Sequence, residues 1–150
     1  MAVVQNSFPT TPALGYPGMV ANGETSNRLT RTIEDAAGIA FGKAAFRGVG
    51  DHGITATPAA GTFMGISIAT HGLAASLTGT ADTYGQYASV PLLNEGEIWV
   101  TAGSNTTDGA AVYVTSAGVF TATSTSNTAI PAVFDDTVSS GALVRLRVAR

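Results

Sequence analysis

His52 and His71 are the only histidines in the 150-residue chain, and a histidine metal site needs a second imidazole or a carboxylate at ligand spacing. No H-x-H or H-x-x-x-H pair occurs, and Asp51 sits beside His52 in a loop, where neighbours point apart. Paired carboxylates can divide acid and base roles, which singles out Asp135–Asp136 and Glu95 with Glu97. Adjacent strand residues face opposite ways, so Asp135–Asp136 are expected to end the strand "AIPAVF" rather than share a proton. Glu95 and Glu97 share a face at period 2 and flank an expected turn at Asn94–Gly96, which predicts solvation or pairing with arginine. "GISIA" around Ser67 lacks the final glycine of a nucleophile elbow and lies in a strand-like run. "GVGDHG" (48–53) has the letters of G-x-G-x-x-G, but threonine- and alanine-rich coil follows where a dinucleotide site needs a helix. Trp99, Tyr84, Tyr87 and Tyr113 are spread over separate strands, which favours core or interface packing over a sugar platform. None of these groupings calls for an enzyme, and no cofactor or metal is expected.

The elements that carry these residues are poor in charge. Charged residues make up 11% of the chain, against about 25% in a typical soluble domain. Alanine, glycine, threonine and serine stand where lysine and glutamate normally would. Soluble monomers keep charged surfaces apart from one another, so the composition predicts strands covered by other polypeptides in the working state. Net charge is −3 with no basic block, which argues against nucleic acid. Cysteine is absent, excluding disulfides and thiolate ligands. No signal peptide is read in "MAVVQNSFPT", and the most apolar stretch, from Gly61 to Gly79, is too polar for a membrane span.

Pro9, Pro12 and Pro17 keep residues 1–30 out of helix, so this stretch is expected to be an extended arm before a domain over 31–150. The arm would pack on its own domain or on another subunit. "GIAFGKAAF" reads as a strand with glycine irregularities and residues 47–61 as a loop. "TFMGISIAT", "TYGQYASVPLL", "GEIWVTAG", "AAVYVTS", "AGVFTATS", "AIPAVFDD" and "GALVRLRVAR" are further strand-like runs, with a hairpin turn at Ser116-Ala117-Gly118. Val144, Leu146 and Val148 alternate with Arg145 and Arg147 at period 2. Short strands at this spacing indicate an all-β sandwich or barrel.

The order of these pieces resembles the structural cement, or capsid decoration, proteins of tailed bacteriophages. The resemblance rests on "GYPGMVAN" (15–22), "IAFGKAAF" (39–46), "FMGISI" (63–68), "VPLLNEGEIWV" (90–100), "DGAAVYVTSAGVFT" (108–121) and "GALVRLRV" (141–148). It implies a small jelly-roll-like β-sandwich, made in the host bacterial cytoplasm and carried on the outer surface of the capsid. It also implies a homo-oligomer, a dimer before a trimer, that bridges neighbouring major capsid protein subunits. Phe8, Leu14, Tyr16 and Met19 are then expected to dock on capsid protein, and Arg28 and Arg31 to meet its acidic groups. Arg145 and Arg147 form either a plain polar strand face or further capsid pairs. A tail-fibre or virion-surface module for host carbohydrate and a small β-fold hydrolase are the rival readings.

Overall fold

Val90 to Val100 reads as two strands split by Asn94-Glu95-Gly96, yet in the computed structural model, which describes residues 14–70 and 80–149, it lies in one strand, β7 (Ser89–Thr101). The expected turn does not form because both halves find partners in line. The first half pairs with β1 (Asn27–Ile33), from Asn27↔Glu95 to Thr32↔Ser89. The second pairs with β11 (Leu143–Val148), from Val148↔Gly96 to Leu143↔Thr101. The interruption survives as a β-bulge: consecutive Asn27 and Arg28 face Glu95 and Leu93, leaving Asn94 as the extra residue. Gly96, at φ +120°, carries the backbone past Ser26, whose Cβ would lie 2.9 Å from a Cβ at this position.

Strand β7 therefore belongs to two layers. In the first it pairs with β5 (Phe63–Ser67), β5 with β3 (Ala44–Arg47), and β3 with β4 (Gly53–Thr55). β4 runs parallel to β1, which returns to β7 and closes a ring. In the second layer β7 is followed by β11, β10 (Thr128–Phe134), β8 (Ala111–Val114) and β9 (Phe120–Thr121). A bridge from Ala102 to Phe120 ties β9 back to the chain just past β7, with Gly103 N donating to Phe120 O at 2.8 Å. A short ribbon of β2 (Ile39–Ala40) with β6 (Thr83–Tyr84) adds Ile39 and Tyr84 to the inside of the ring. The chain is all-β, as expected, with no helix among the described residues. The β8–β9 hairpin turns at Ser116-Ala117-Gly118, Gly118 taking φ +72°.

β1 starts at Asn27, inside the stretch expected to be arm, because Arg28 to Thr32 complete the ring. Residues 18–21 are also committed to this chain. Gly18 N donates to Trp99 O at 2.8 Å, Trp99 N to Met19 O at 2.9 Å and Ala21 N to Glu97 O at 2.9 Å. The described end of the arm is thus a short antiparallel ribbon on the edge of β7.

Two hydrophobic cores lie on either side of one wall. Ile33, Ile39, Ala45, Ile54, Tyr84, Val90 and Leu92 fill the ring. Phe46, Ile66, Leu93, Ile98, Val100, Phe120, Phe134 and Leu146 fill the space between the ring and the second layer. Alternation divides neighbours between the two: Ala45 faces one core and Phe46 the other, as do Leu92 and Leu93. The bulge at Asn94 shifts the alternation by one, so Leu93, Ile98 and Val100 all reach the second core. Most of β3, β5 and β7 is therefore enclosed between the two cores, and burial within this chain accounts for the lack of charge there. The outer face of β8 and β10 differs: Ala111, Tyr113, Ala129, Pro131 and Val133 are uncharged and wholly or partly exposed, and it is to this face that the expected cover by other polypeptides would apply.

Because the cores share a wall, they should unfold together. Ile54→Ala empties the ring core and should cost about 2–5 kcal/mol. Trp99 lies in the other layer; its fluorescence midpoint and the far-UV circular dichroism midpoint should nevertheless fall together. Separate transitions would show two independent units.

Candidate functional site

The arm meets the domain around Trp99. Gly15 lies against its indole, where an added Cβ would come within 2.8 Å of Cδ1, and the Arg145 guanidinium stands 5.7 Å from the ring centroid. Gly18, at φ +85°, approaches Gly42 so closely that a Cβ would lie 2.9 Å from Gly42 N. These contacts give "GYPGM" and "AFGK" a joint purpose, since the arm crosses β3's approach at two glycines. Leu14 projects outward, 81% exposed, while Tyr16 is partly exposed and Met19 half-buried. Phe8 lies outside the described residues. Contacts from Gly15 and Arg145 leave Trp99 half-buried, which reduces the ring area open to a sugar.

Beside Trp99, cross-strand pairing brings Arg147 opposite Glu97 and Arg145 opposite Trp99. Asp135 and Asp136 follow β10 directly, and both turn toward this face. Arg145 binds Asp136 in a fork, Nε to Oδ2 at 2.9 Å and Nη2 to Oδ1 at 2.6 Å, while its backbone N donates to the same carboxylate at 3.0 Å. Its Nη1 is 3.7 Å from Glu97 Oε1. Arg147 reaches Glu24 at 3.4 Å, Asp135 at 3.6 Å and Glu97 at 4.0 Å. Asn22 donates from Nδ2 to Glu97 Oε2, so Asn22 and Glu24 fasten the segment after the arm onto this cluster. Arg145 and Arg147 are therefore engaged within the chain and are more than a plain polar face. Glu97 is paired with arginine, as one expectation had it, but the bend at Gly96 separates it from exposed Glu95 and leaves it 1% exposed.

Burial pushes the Glu97 carboxyl up to about 7; its hydrogen bond to Asp135 and that neighbour's charge add to the rise, and Arg145 and Arg147 oppose it. Asp135 is held below its ordinary value, chiefly by the hydrogen bond with Glu97, and Asp136 by the bonds from Arg145.

Arg28 is exposed and Arg31 half-buried on β1. Arg31 Nη1 donates to Thr30 O at 3.1 Å, and neither arginine has a carboxylate in ion-pair range among the described residues. The remaining chemistry candidates serve the fold. Ser67 is buried, donating to Ala40 O at 2.6 Å and accepting from Lys43 N at 2.9 Å. The glycines of "GVGDHG" wrap a carboxylate of the chain itself: Val49 N and Gly50 N each donate to Glu34 at 2.8 Å. His52 is exposed in that loop, His71 lies outside the described residues, and no metal-holding group of His, Asp or Glu occurs among the described residues. Asn94 and Arg47 were missed by sequence reasoning. Asn94 was read as turn chemistry and Arg47 as the start of a loop, and only strand register reveals either position.

A raised Glu97 value means that the folded state holds a proton which the unfolded chain releases above its ordinary value of 4.5. Its contribution is complete below that value and is lost as pH rises through about 7. Asp135 and Asp136 act oppositely, their contributions being lost as pH falls through the acid range. Between pH 5 and 8 the thermal midpoint should fall by several degrees relative to Glu97→Gln, about 2–4 kcal/mol of linkage. Parallel pH profiles for the two proteins would contradict the assignment.

Residues 4–149 match the family described as structural cement protein (E217 gp24/Pam3 gp6). No curated protein sequence matches. Among solved structures, a chain in the capsid of Myoviridae phage XM1 superposes with a TM-score of 0.76 at 16% identity, over 99% of each chain, a likeness of fold. The head fiber gp8.5 N base of bacteriophage phi29 gives a TM-score of 0.47 at 16% identity, over 83% of this chain and 95% of that one. A family match over residues 4–149, 146 of the 150 residues, on an all-β chain, places it: the chain belongs to the phage structural cement protein family and is a structural protein of the capsid.

Proposed function

We propose that this protein decorates the outer surface of a tailed-phage head, bridges neighbouring major capsid protein subunits and holds the shell against internal DNA pressure. The observation that carries the reading is the family match over residues 4–149. Its surface chemistry supports it. The acids Glu34, Asp136 and Glu97 are used internally, whereas Arg28 and Arg31 remain open for acidic groups of a partner. Leu14 and Tyr16 are exposed beside Trp99, and the arm expected over the preceding residues, Phe8 among them, is the part proposed to reach a capsid subunit. Arg145 and Arg147, paired at home, contribute by fixing the arm's base rather than by meeting the capsid.

A bridge of this kind needs specific contact with at least two subunits, each standard interface removing about 1,200–2,000 Å² of surface. Binding only the assembled shell stabilises that state by mass action. Pairing of two copies raises the effective concentration of every later contact. A dimer is the smallest assembly that gives this gain. The host-carbohydrate reading is weakened, because Gly15 and Arg145 both contact Trp99 and leave it half-buried.

Deleting residues 2–13 tests the arm without removing the ribbon at 18–21. The truncated protein should keep its thermal midpoint yet fail to co-sediment with undecorated heads. Arg28→Glu with Arg31→Glu should weaken head binding about tenfold or more. Full occupancy by both variants, or binding of the intact protein to host glycans and not to heads, would refute the reading.

A further inference from the structure

A cleft of about 300 Å³ opens beside the bulge of β7, with Arg31, Arg47, Asn94, Leu29, Met64 and Pro131 among its lining residues. Asn94 is the bulge's extra residue, and bulges re-aim side chains. It is 7% exposed, yet its Oδ1 is buried with no hydrogen-bond partner. A buried acceptor left unsatisfied in this way is costly to the fold. The Arg47 side chain, exposed at the end of β3, has neither hydrogen bond nor ion pair among the described residues, and the Arg31 guanidinium has only the Thr30 carbonyl. Two guanidiniums without carboxylates thus flank a buried amide that lacks a partner.

We infer that this cleft binds an extended acidic peptide segment of a partner protein, with a carboxylate on Arg31 and Arg47 and a main-chain peptide group beside the Asn94 amide. A phosphodiester backbone offers acceptors for the arginines but no N–H, whereas a peptide group supplies an N–H beside its carbonyl, the pair that a side-chain amide complements. Inorganic phosphate carries a P–OH but no apolar stem. Leu29, Met64 and Pro131 give an aliphatic floor that suits a side-chain stem better than a free anion. The inference deepens the capsid reading, on which it rests for the partner's identity, by adding Arg47 and Asn94 to the contact set.

Titration of the full-length, ¹⁵N-labelled protein tests it, with acetyl-Ala-Glu-Ala-amide, acetyl-Ala-Gln-Ala-amide, sodium acetate and inorganic phosphate as probes. The Glu peptide should shift the Asn94 side-chain amide and the Arg31 and Arg47 Nε–H signals. It should bind about tenfold or more tightly than the Gln peptide or either anion. Arg47→Gln and Arg31→Gln, whose side chains pack into neither core, should each lose about tenfold. Absence of Glu-peptide binding, equal binding of the Gln peptide, tighter binding of phosphate, or wild-type affinity in Arg47→Gln would each overturn the inference. Co-sedimentation separates it from the capsid reading. A protein that takes the Glu peptide but ignores heads refutes the capsid reading alone. An Arg47→Gln variant that decorates heads at wild-type occupancy refutes the cleft alone.

Discussion

Everything in this fold is arranged around a strand that changes its allegiance halfway along. Up to Leu93, β7 is a stave of the ring; from Gly96 on, it is the inner edge of a second layer. A straight strand could not do this, because unbroken alternation would send Leu93 and Ile98 to opposite sides. The extra residue at Asn94 corrects the phase, and Gly96 lets the chain bend. The two cores, the wall between them and the groove where the arm lies all follow from that correction. So does the isolation of Asn94, whose side chain leaves the regular pattern.

This constraint also explains how far the sequence could be read. Strand-like runs, the Ser116–Gly118 hairpin and the alternation of β11 were legible because each depends on neighbours in sequence. Asn94-Glu95-Gly96 was not, since the residue types that make a turn also make a bulge, and only the partners on β1 and β11 decide between them. The paucity of charge has two sources that composition alone does not separate: β3 and β5 are enclosed by their own chain, whereas the outer residues of β8 and β10 are uncharged and exposed. Glu97 was legible as an arginine partner but not as a buried one. Its burial comes from Asn22, Arg145 and Arg147, which converge only after the layers have assembled.

Charge is sorted as the packing requires. Glu34 closes a glycine loop, Asp136 holds Arg145, and Glu97 sits beneath both C-terminal arginines. Burying charge is tolerable when each group is paired and hydrogen-bonded. The arginines of β1 and the end of β3 have no such duty. A chain with an overall negative charge thereby presents cations where the ring meets solvent. The candidate contacts and the structural ion pairs occupy different strands, so one set can be altered while the other is kept.

The ribbon at residues 18–21 runs antiparallel to β7, with hydrogen bonds at Gly18, Met19 and Ala21 crossing between the two. Tension applied to the preceding chain along the ribbon's axis loads these bonds side by side, so they must give way as a group. Peeling them one after another would require a pull away from the sheet, which the wedge of Gly18 between Ala69 and Gly42 resists. A segment anchored in this way withstands shear along the ribbon better than its few bonds would if each were loaded in turn.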